Sequence, residues 1–359
     1  MSGIATWGRR AGRVGTGLGV VAVGAAIGLA AERYAVGRSF RADDPEAAEP
    51  LGQLHGRPLT VLTDDGIGLH VEIDTDEDLP DPAPVTVLFC HGFALTQETW
   101  HYQRRDLGDV GRLVFYDQRG HGRSGWGDRE HANIDQLGRD LHRVLDAAAP
   151  TGPVVLVGHS MGGMTIMALA DQAPELFGDR IVGVALLSTS PGKLAEVGFG
   201  APAAIARRVR GTALRALEAA RKRPMLVERG RSVTTDLTYV LTKRYSFATD
   251  VPPSLVEFTA RMNRSTPIDV LADLFPAFDS HDKLCALDVL NGLESLILVG
   301  EQDLLTPADH SRDMVDAVPG AELVVLPQAG HMVMLEHYDV VNDHLRDLVE
   351  RAVRAAAAA

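Results

Sequence analysis

Residues 157–163 read Val-Gly-His-Ser-Met-Gly-Gly, and they sit where one periodicity gives way to another. Before them, Pro153-Val-Val-Leu-Val157 is a continuous apolar run of the kind that forms a buried strand. After the serine, Met161 to Ala170 reads as a helix. A serine flanked by glycines at such a junction must turn sharply, which exposes its hydroxyl beyond the strand end. Gly158 and Gly162 carry no Cβ, so strand and helix can approach closely enough to hold a strained turn. The helix N-terminus behind Ser160 offers free N–H groups and a positive dipole end, both suited to negative charge developing on an oxygen. The five-residue pattern alone occurs by chance in many proteins, so its context decides its meaning.

The 359 residues suffice for one large core with a smaller insertion. With 45% hydrophobic and 23% charged residues, the chain has the composition of a folded globular protein. A net charge of −13 argues against a nucleic-acid partner, which requires a basic face. Cys90 lies in the apolar run Val87-Leu-Phe-Cys90 and reads as a free buried thiol. Cys285 is distant in sequence, so no disulfide framework is implied. Neither C-x-x-C nor H-E-x-x-H occurs; no metal site and no metal or organic cofactor is expected.

Residues 1–50 differ in kind from the rest. Arg9, Arg10 and Arg13 precede an uncharged stretch, Val14 to Ala31, dominated by Gly, Ala, Val, Leu and Ile and closed by Glu32 and Arg33. Residues 14–31 are long enough to span a bilayer, and Gly15/Gly19 and Gly24/Gly28 have the spacing of closely packed helices in lipid. The first reading is therefore a membrane anchor, with a cleaved export signal or a soluble amphiphilic tail as alternatives. Membrane association is the expected location, exported or cytoplasmic the alternatives. Arg38, Arg41 and the acidic run Asp43 to Pro50 read as a linker, which leaves residues 51–359 as the domain that carries the chemistry.

From Leu59 onward strand and helix signals alternate. Leu59 to Thr63 and Leu69 to Ile73 suggest a hairpin around Asp65-Gly66, and Val85 to Cys90 and Leu113 to Tyr116 read as strands. Ile134 to Ala149 has helical spacing, with Leu137, Leu141 and Leu145 on one face. Ile181 to Leu187 is the next strand signal, and Leu296 to Val299 and Leu323 to Leu326 follow much later, before a final helix from Val340 to Arg354 and a frayed alanine end. Apolar strands alternating with helices imply an α/β fold, a mostly parallel sheet with helices on both faces. Residues 191–284 break the alternation with helical, partly basic sequence. They read as an inserted helical cap over the carboxyl edge of the sheet, where ligands bind in such folds.

A serine hydroxyl needs a base to take its proton, and the base needs an acid to orient it. His331, in Gln328-Ala-Gly-His331, follows the last strand signal, and Asp303, in Gly300-Glu-Gln-Asp303, follows the one before. Glu301 is the rival acid, but it stands closer to the strand with its side chain expected to point away. No carboxylate occurs between Leu186 and Gly192, which removes the strand before the insertion as a source. An oxyanion needs two converging N–H donors. Met161, directly after the serine, is expected to supply one, and Phe93, in His91-Gly92-Phe93 after another strand, the second. His91 and His159 read as buried structural histidines. Asp117-Gln-Arg-Gly-His-Gly-Arg-Ser124 lacks the spacing of a phosphate-binding loop and reads as a structural turn, with Asp117 and Arg119 bonding backbone groups.

Taken together, His91-Gly-Phe93, Asp117-x-Arg-Gly-x-Gly-x-Ser124, Gly158-His-Ser-Met-Gly162, Gly300-x-x-Asp303 and Gly330-His331 resemble the α/β-hydrolase fold superfamily, and within it capped serine esterases and lipase-like hydrolases. The resemblance covers about residues 55–355. It implies an eight-stranded sheet whose second strand is antiparallel, a nucleophilic Ser160, an acyl-enzyme, and a small-molecule ester with an apolar acyl or alcohol part. Members that open epoxides or remove halide use an aspartate at the turn, and Ser160 argues against both activities. A C–C bond hydrolase, an amidase or a non-catalytic ligand-binding protein are the alternatives. Phe247, Phe258, Met262, Leu274 and Phe275 are expected to shape the pocket.

Overall fold

The computed structural model describes residues 44–358 apart from 78, 81–82, 199 and most of 201–237, so the apolar stretch 14–31 lies outside the described residues. Among the described residues no helix is long and apolar enough to cross a membrane.

Eight strands form one sheet: β1 Arg57–Leu62, β2 Gly68–Asp74, β3 Thr86–Cys90, β4 Arg112–Tyr116, β5 Val154–His159, β6 Ile181–Leu187, β7 Glu294–Gly300 and β8 Glu322–Leu326, in the order β1-β2-β4-β3-β5-β6-β7-β8. β2 runs antiparallel to both its neighbours, and the other pairs are parallel. The β1–β2 hairpin turns at Gly66, whose φ of 81° is the left-handed conformation that glycine adopts without a Cβ penalty. β3, β5 and β6 are buried along their whole length because helices cover both faces, which is why they read as unbroken apolar runs.

Side chains that alternate along these strands feed two separate cores. Val87, Phe89, Val155 and Val157 pack on one face with Tyr102 of α1 (His101–Asp106) and Val341, Leu345 and Leu348 of the last helix, Tyr338–Ala358. Leu88, Cys90, Val154 and Leu156 pack on the other with Leu141 and Leu145 of α2 (Ile134–Ala148) and Ile166 and Met167 of α3 (Met161–Gln172). α2 begins where the Asn133 side chain accepts the Gln136 N–H at 2.8 Å, one of the donors a helix start leaves open. The final helix continues through the alanines to Ala358 rather than fraying after Arg354.

Between β6 and β7 come a helical stretch at 238–246, then α4 (Pro253–Ser265), α5 (Ile268–Leu274) and α6 (Ala277–Ser280). After β7 come α7 (Ala308–Ala317) and α8 (Val333–Glu336), the latter leading into the last helix, α9. The acidic segment before Pro50 is not a free linker in its described part. Asp44 accepts both the N–H and the hydroxyl of Ser254, each at 2.9 Å, at the start of α4. Glu49 lies 2.7 Å from the buried Nε2 of His101, and that bond, with Arg105 adding to it, holds the Glu49 carboxyl below the usual range. Leu51 is buried in the core beside them.

Replacing Glu49 with Ala leaves the buried His101 Nε2 without its partner, a loss of about 1–3 kcal/mol. The urea denaturation midpoint is expected to fall accordingly. An unchanged midpoint would mean that the segment contributes no stability.

Candidate active site

Ser160 lies between the end of β5 and the start of α3 with φ 52° and ψ −118°, a conformation that costs a non-glycine residue energy. Neighbouring backbone fixes it. Its N–H donates to the Leu187 carbonyl at 3.0 Å, and its own carbonyl accepts the Thr189 hydroxyl at 2.6 Å and the Gly163 N–H at 3.0 Å. A Cβ on Gly158 would stand 2.6 Å from the Gly163 nitrogen, and one on Gly162 would stand 2.0 Å from the Cys90 carbonyl oxygen. Gly158 thus lets helix meet strand, as the sequence suggests, whereas Gly162 clears the neighbouring strand β3.

Asp303 follows β7 and is almost fully buried. Its Oδ1 accepts the N–H groups of Leu305 at 2.8 Å and Thr306 at 2.9 Å, and its Oδ2 accepts the Thr306 hydroxyl at 2.8 Å. The same Oδ2 lies 2.8 Å from Nδ1 of His331, which follows β8. The carboxylate therefore forms its own turn and orients an imidazole at once. Because Oδ2 can only accept, Nδ1 carries the proton in the neutral ring and Nε2 is left with its lone pair. Glu301 is exposed to solvent.

The loop after β3 is tied to the first turn of α3 by a buried relay. His91 Nδ1 donates to the Gly92 carbonyl at 2.7 Å and its Nε2 accepts the Gln118 N–H at 2.9 Å. The Gln118 amide donates to the His91 carbonyl, while its oxygen accepts the Thr165 hydroxyl at 2.8 Å; that hydroxyl also lies 2.9 Å from the Met161 carbonyl. His121 Nε2 accepts the Ala94 N–H at 3.1 Å. Among the described residues, no acceptor engages the N–H of Phe93 or that of Met161, the first residue of α3. Both histidines are uncharged: burial pushes His91 down to about 4 and His121 down to about 3. His159 does more than fill space, since its Nε2 donates to the His331 carbonyl at 3.0 Å. Burial foremost, then the nearby His331, pushes its pKa well down.

Asp117 bonds backbone as expected, accepting the N–H groups of Gln97 at 2.8 Å and Arg123 at 2.9 Å. Arg119 does not. Its guanidinium is buried between the carboxylates of Asp140, at 2.5 and 2.7 Å, and Asp65, at 3.0 Å twice. A buried guanidinium needs charged partners, and nothing in the local sequence pattern marks which carboxylates they are.

Ser160 and His331 line one cavity of about 370 Å³. Its wall is largely apolar, with Met164, Leu194, Phe93, Phe275 and Phe278; the three phenylalanine rings lie 5.1 to 6.4 Å apart. Among the described lining residues none is Asp, Glu, Lys or Arg. Of the five residues expected to shape the pocket, only Phe275 does so. Phe247, Phe258 and Met262 join the core, and Leu274 packs with Val270 and Ala132. An apolar pattern marks these residues as buried but cannot say whether each meets the core or the cavity. Leu241, Thr242 and Tyr245 of the 238–246 helix line it instead. Thr306, Gln118, Thr165 and Glu336 also escaped sequence reasoning, because nothing in the local pattern distinguishes them. Among the described residues no cluster of His, Cys, Asp or Glu could hold a metal ion.

Comparison with known proteins agrees with this architecture. Residues 87–344 match the alpha/beta hydrolase family, and the chain belongs to that family. It is 26% identical over 262 residues to the dihydrolipoyllysine-residue acetyltransferase component of the acetoin cleaving system of Pseudomonas putida, covering 72% of this chain and 62% of that one. Over a shorter stretch of 112 residues it is 36% identical to a monoacylglycerol lipase of Mycolicibacterium smegmatis, covering 30% of this chain and 39% of the lipase. The chain thus spans less than two thirds of the length of either relative. A thermophilic esterase from Thermogutta terrifontis shares the fold, with a TM-score of 0.63, 24% identity, and coverage of 83% of this chain and 99% of the esterase.

The buried histidines give the protein a definite response to acid. His91, His121 and His281 are held neutral when folded, His281 by burial that pushes it down to about 4. In the unfolded chain they take up protons below about pH 6.5. The unfolded state therefore binds more protons than the folded one between about pH 6.5 and 4, and stability falls as pH falls through that window. Urea midpoints measured from pH 7.5 to 5 should decline steadily. A flat profile above pH 5 would contradict the neutral histidines.

Proposed function

We propose that this hydrolase-family protein is a serine hydrolase that cleaves uncharged carboxylic esters through an acyl-enzyme. The observation that carries the reading is the 2.8 Å contact between Asp303 and His331 Nδ1, with His331 lining the cavity that also holds Ser160. Ser160 Oγ attacks the ester carbonyl while His331 Nε2 takes its proton. His331 then returns that proton to the departing alkoxide, and Asp303 keeps the ring oriented and stabilises its charged form. The N–H groups of Phe93 and Met161 receive the carbonyl oxygen as it becomes negative. Water, deprotonated by His331, repeats the sequence and releases the acid.

The apolar wall with its three phenylalanines suits an apolar acyl or alcohol group. A charged group next to the reacting bond would lose its hydration without gaining a partner, since no described lining residue carries a formal charge. Similarity to a monoacylglycerol lipase is in keeping with an ester target. Residues 51–359 are the proposed hydrolase unit, 191–284 its cap, and 14–31 the segment proposed to attach it to a membrane.

Ser160→Ala and His331→Ala should each lower kcat roughly a thousandfold or more with the fold retained, and Asp303→Asn should also cost heavily. Glu301→Gln should be silent; if it were the damaging change, the acid is misassigned. Loss of labelling by a fluorophosphonate probe in Ser160→Ala, against labelling of the native protein, separates a serine hydrolase from a non-catalytic binder. With p-nitrophenyl esters of graded length, Phe275→Ala should shift the preferred chain length, whereas Phe258→Ala should mainly lower stability. Unaltered preference in Phe275→Ala would remove the aromatic wall as the acyl site. The full-length protein should stay with membranes after a high-salt wash, because apolar insertion is not screened by salt. Its release by salt would refute insertion of residues 14–31.

A further inference from the structure

Glu336, the last residue of α8, makes four hydrogen bonds to two separate parts of the chain. Its Oε2 accepts the N–H of Gly330 at 2.6 Å, directly before His331. Its Oε1 accepts the N–H of Ala248 at 2.9 Å, the N–H of Thr249 at 2.7 Å and the Thr249 hydroxyl at 2.7 Å. On the other side of His331, the Met332 N–H donates to the Ser246 carbonyl at 2.8 Å. Contact between the two segments is close: a Cβ on Gly330 would stand 2.8 Å from the Ala248 nitrogen and the Ser246 oxygen. Residues 246–249 directly continue the 238–246 helix, whose Thr242, Tyr245 and Ser246 line the cavity. The loop that carries His331 is therefore braced on both sides by the segment that walls the substrate cavity.

We propose that Glu336 is a positioning residue, which rests on the serine-hydrolase reading above: it locks the cavity-lining helix to the His331 loop and so sets the imidazole relative to Ser160. Proton transfer is sensitive to that placement, since a misplacement of about 1 Å can cost roughly a hundredfold in rate. A carboxylate suits the position because both of its oxygens accept and all four partners donate. A glutamine of the same shape cannot do this. Its amide nitrogen accepts nothing, so either Gly330 or the 248–249 turn loses its acceptor.

Glu336→Gln and the milder Thr249→Val, which removes only the hydroxyl bond, test the proposal in the full-length protein. Three readouts are needed: kcat and KM on a p-nitrophenyl ester, the rate of fluorophosphonate labelling at Ser160, and the thermal midpoint. In Glu336→Gln, kcat and the labelling rate should fall together by about 10- to 100-fold, with KM within about twofold of the native value. Thr249→Val should show a fall of a few-fold in the same two quantities at an unchanged thermal midpoint, and it carries the test alone if Glu336→Gln does not fold. Native kcat and labelling rate per folded molecule in the folded variants would overturn the proposal, even if the thermal midpoint dropped, because a merely structural bond lowers stability without slowing the step. If the native protein itself fails to label at Ser160, the serine-hydrolase reading fails and the proposal falls with it. Normal labelling of the native protein with undiminished variants sinks only the role of Glu336.

Discussion

The turn at Ser160 is the constraint to which the rest of the structure answers. A non-glycine residue at φ 52° costs about 1–3 kcal/mol, which must be met by its surroundings. Two hydrogen bonds from the β6 side meet it, one to the Leu187 carbonyl and one from the Thr189 hydroxyl. These partners stay in place because β3, β5 and β6 are buried central strands with a core on each face. Gly158 and Gly162 are then required by distance, since any side chain there would enter backbone atoms of α3 or β3. The sheet is in this sense the support for one strained residue at its edge.

Around that residue the buried groups are largely neutral, although the chain as a whole carries −13. His91, His121 and His159 are all held uncharged by burial; His91 and His121 spend both ring nitrogens on backbone, and His159 spends Nε2 on the His331 carbonyl. Asp303 is the carboxylate nearest His331, and three donors besides the imidazole satisfy it. Fixed N–H dipoles act strongly where few full charges compete with them, and the proposed oxyanion donors, the N–H groups of Phe93 and Met161, lie in such a surrounding.

The helices between β6 and β7 are attached to this frame at several points. Asp44 holds the start of α4, Glu336 holds residues 248–249, and Met332 holds Ser246. Each is a contact between segments that are far apart in sequence. Two of the three lie within five residues of His331, so the wall of the cavity and the imidazole share a support. The acidic stretch before Pro50 belongs to the same set of fastenings, and it ties the entry of the chain to α1 and α4.

Strands and the main helices were legible in the sequence because their signals are local. An unbroken apolar run such as Ile181 to Leu187 means burial on both faces wherever the chain goes next, and Asn133 caps α2 through residues three positions away. Ser160, Asp303 and His331 could be named as candidates for the same reason, since each follows a strand end and the parallel sheet gathers those ends on one edge. What the sequence by itself could not determine was every partner fixed by packing between distant segments. Phe258 and Phe275 look alike in an apolar helical pattern, yet one fills the core and the other the cavity wall. Arg119 gives no hint of Asp65 and Asp140, nor Glu336 of Ala248 and Thr249. Periodicity records how one element meets solvent and core, whereas these pairings depend on where two elements meet each other, and only the tertiary structure decides that.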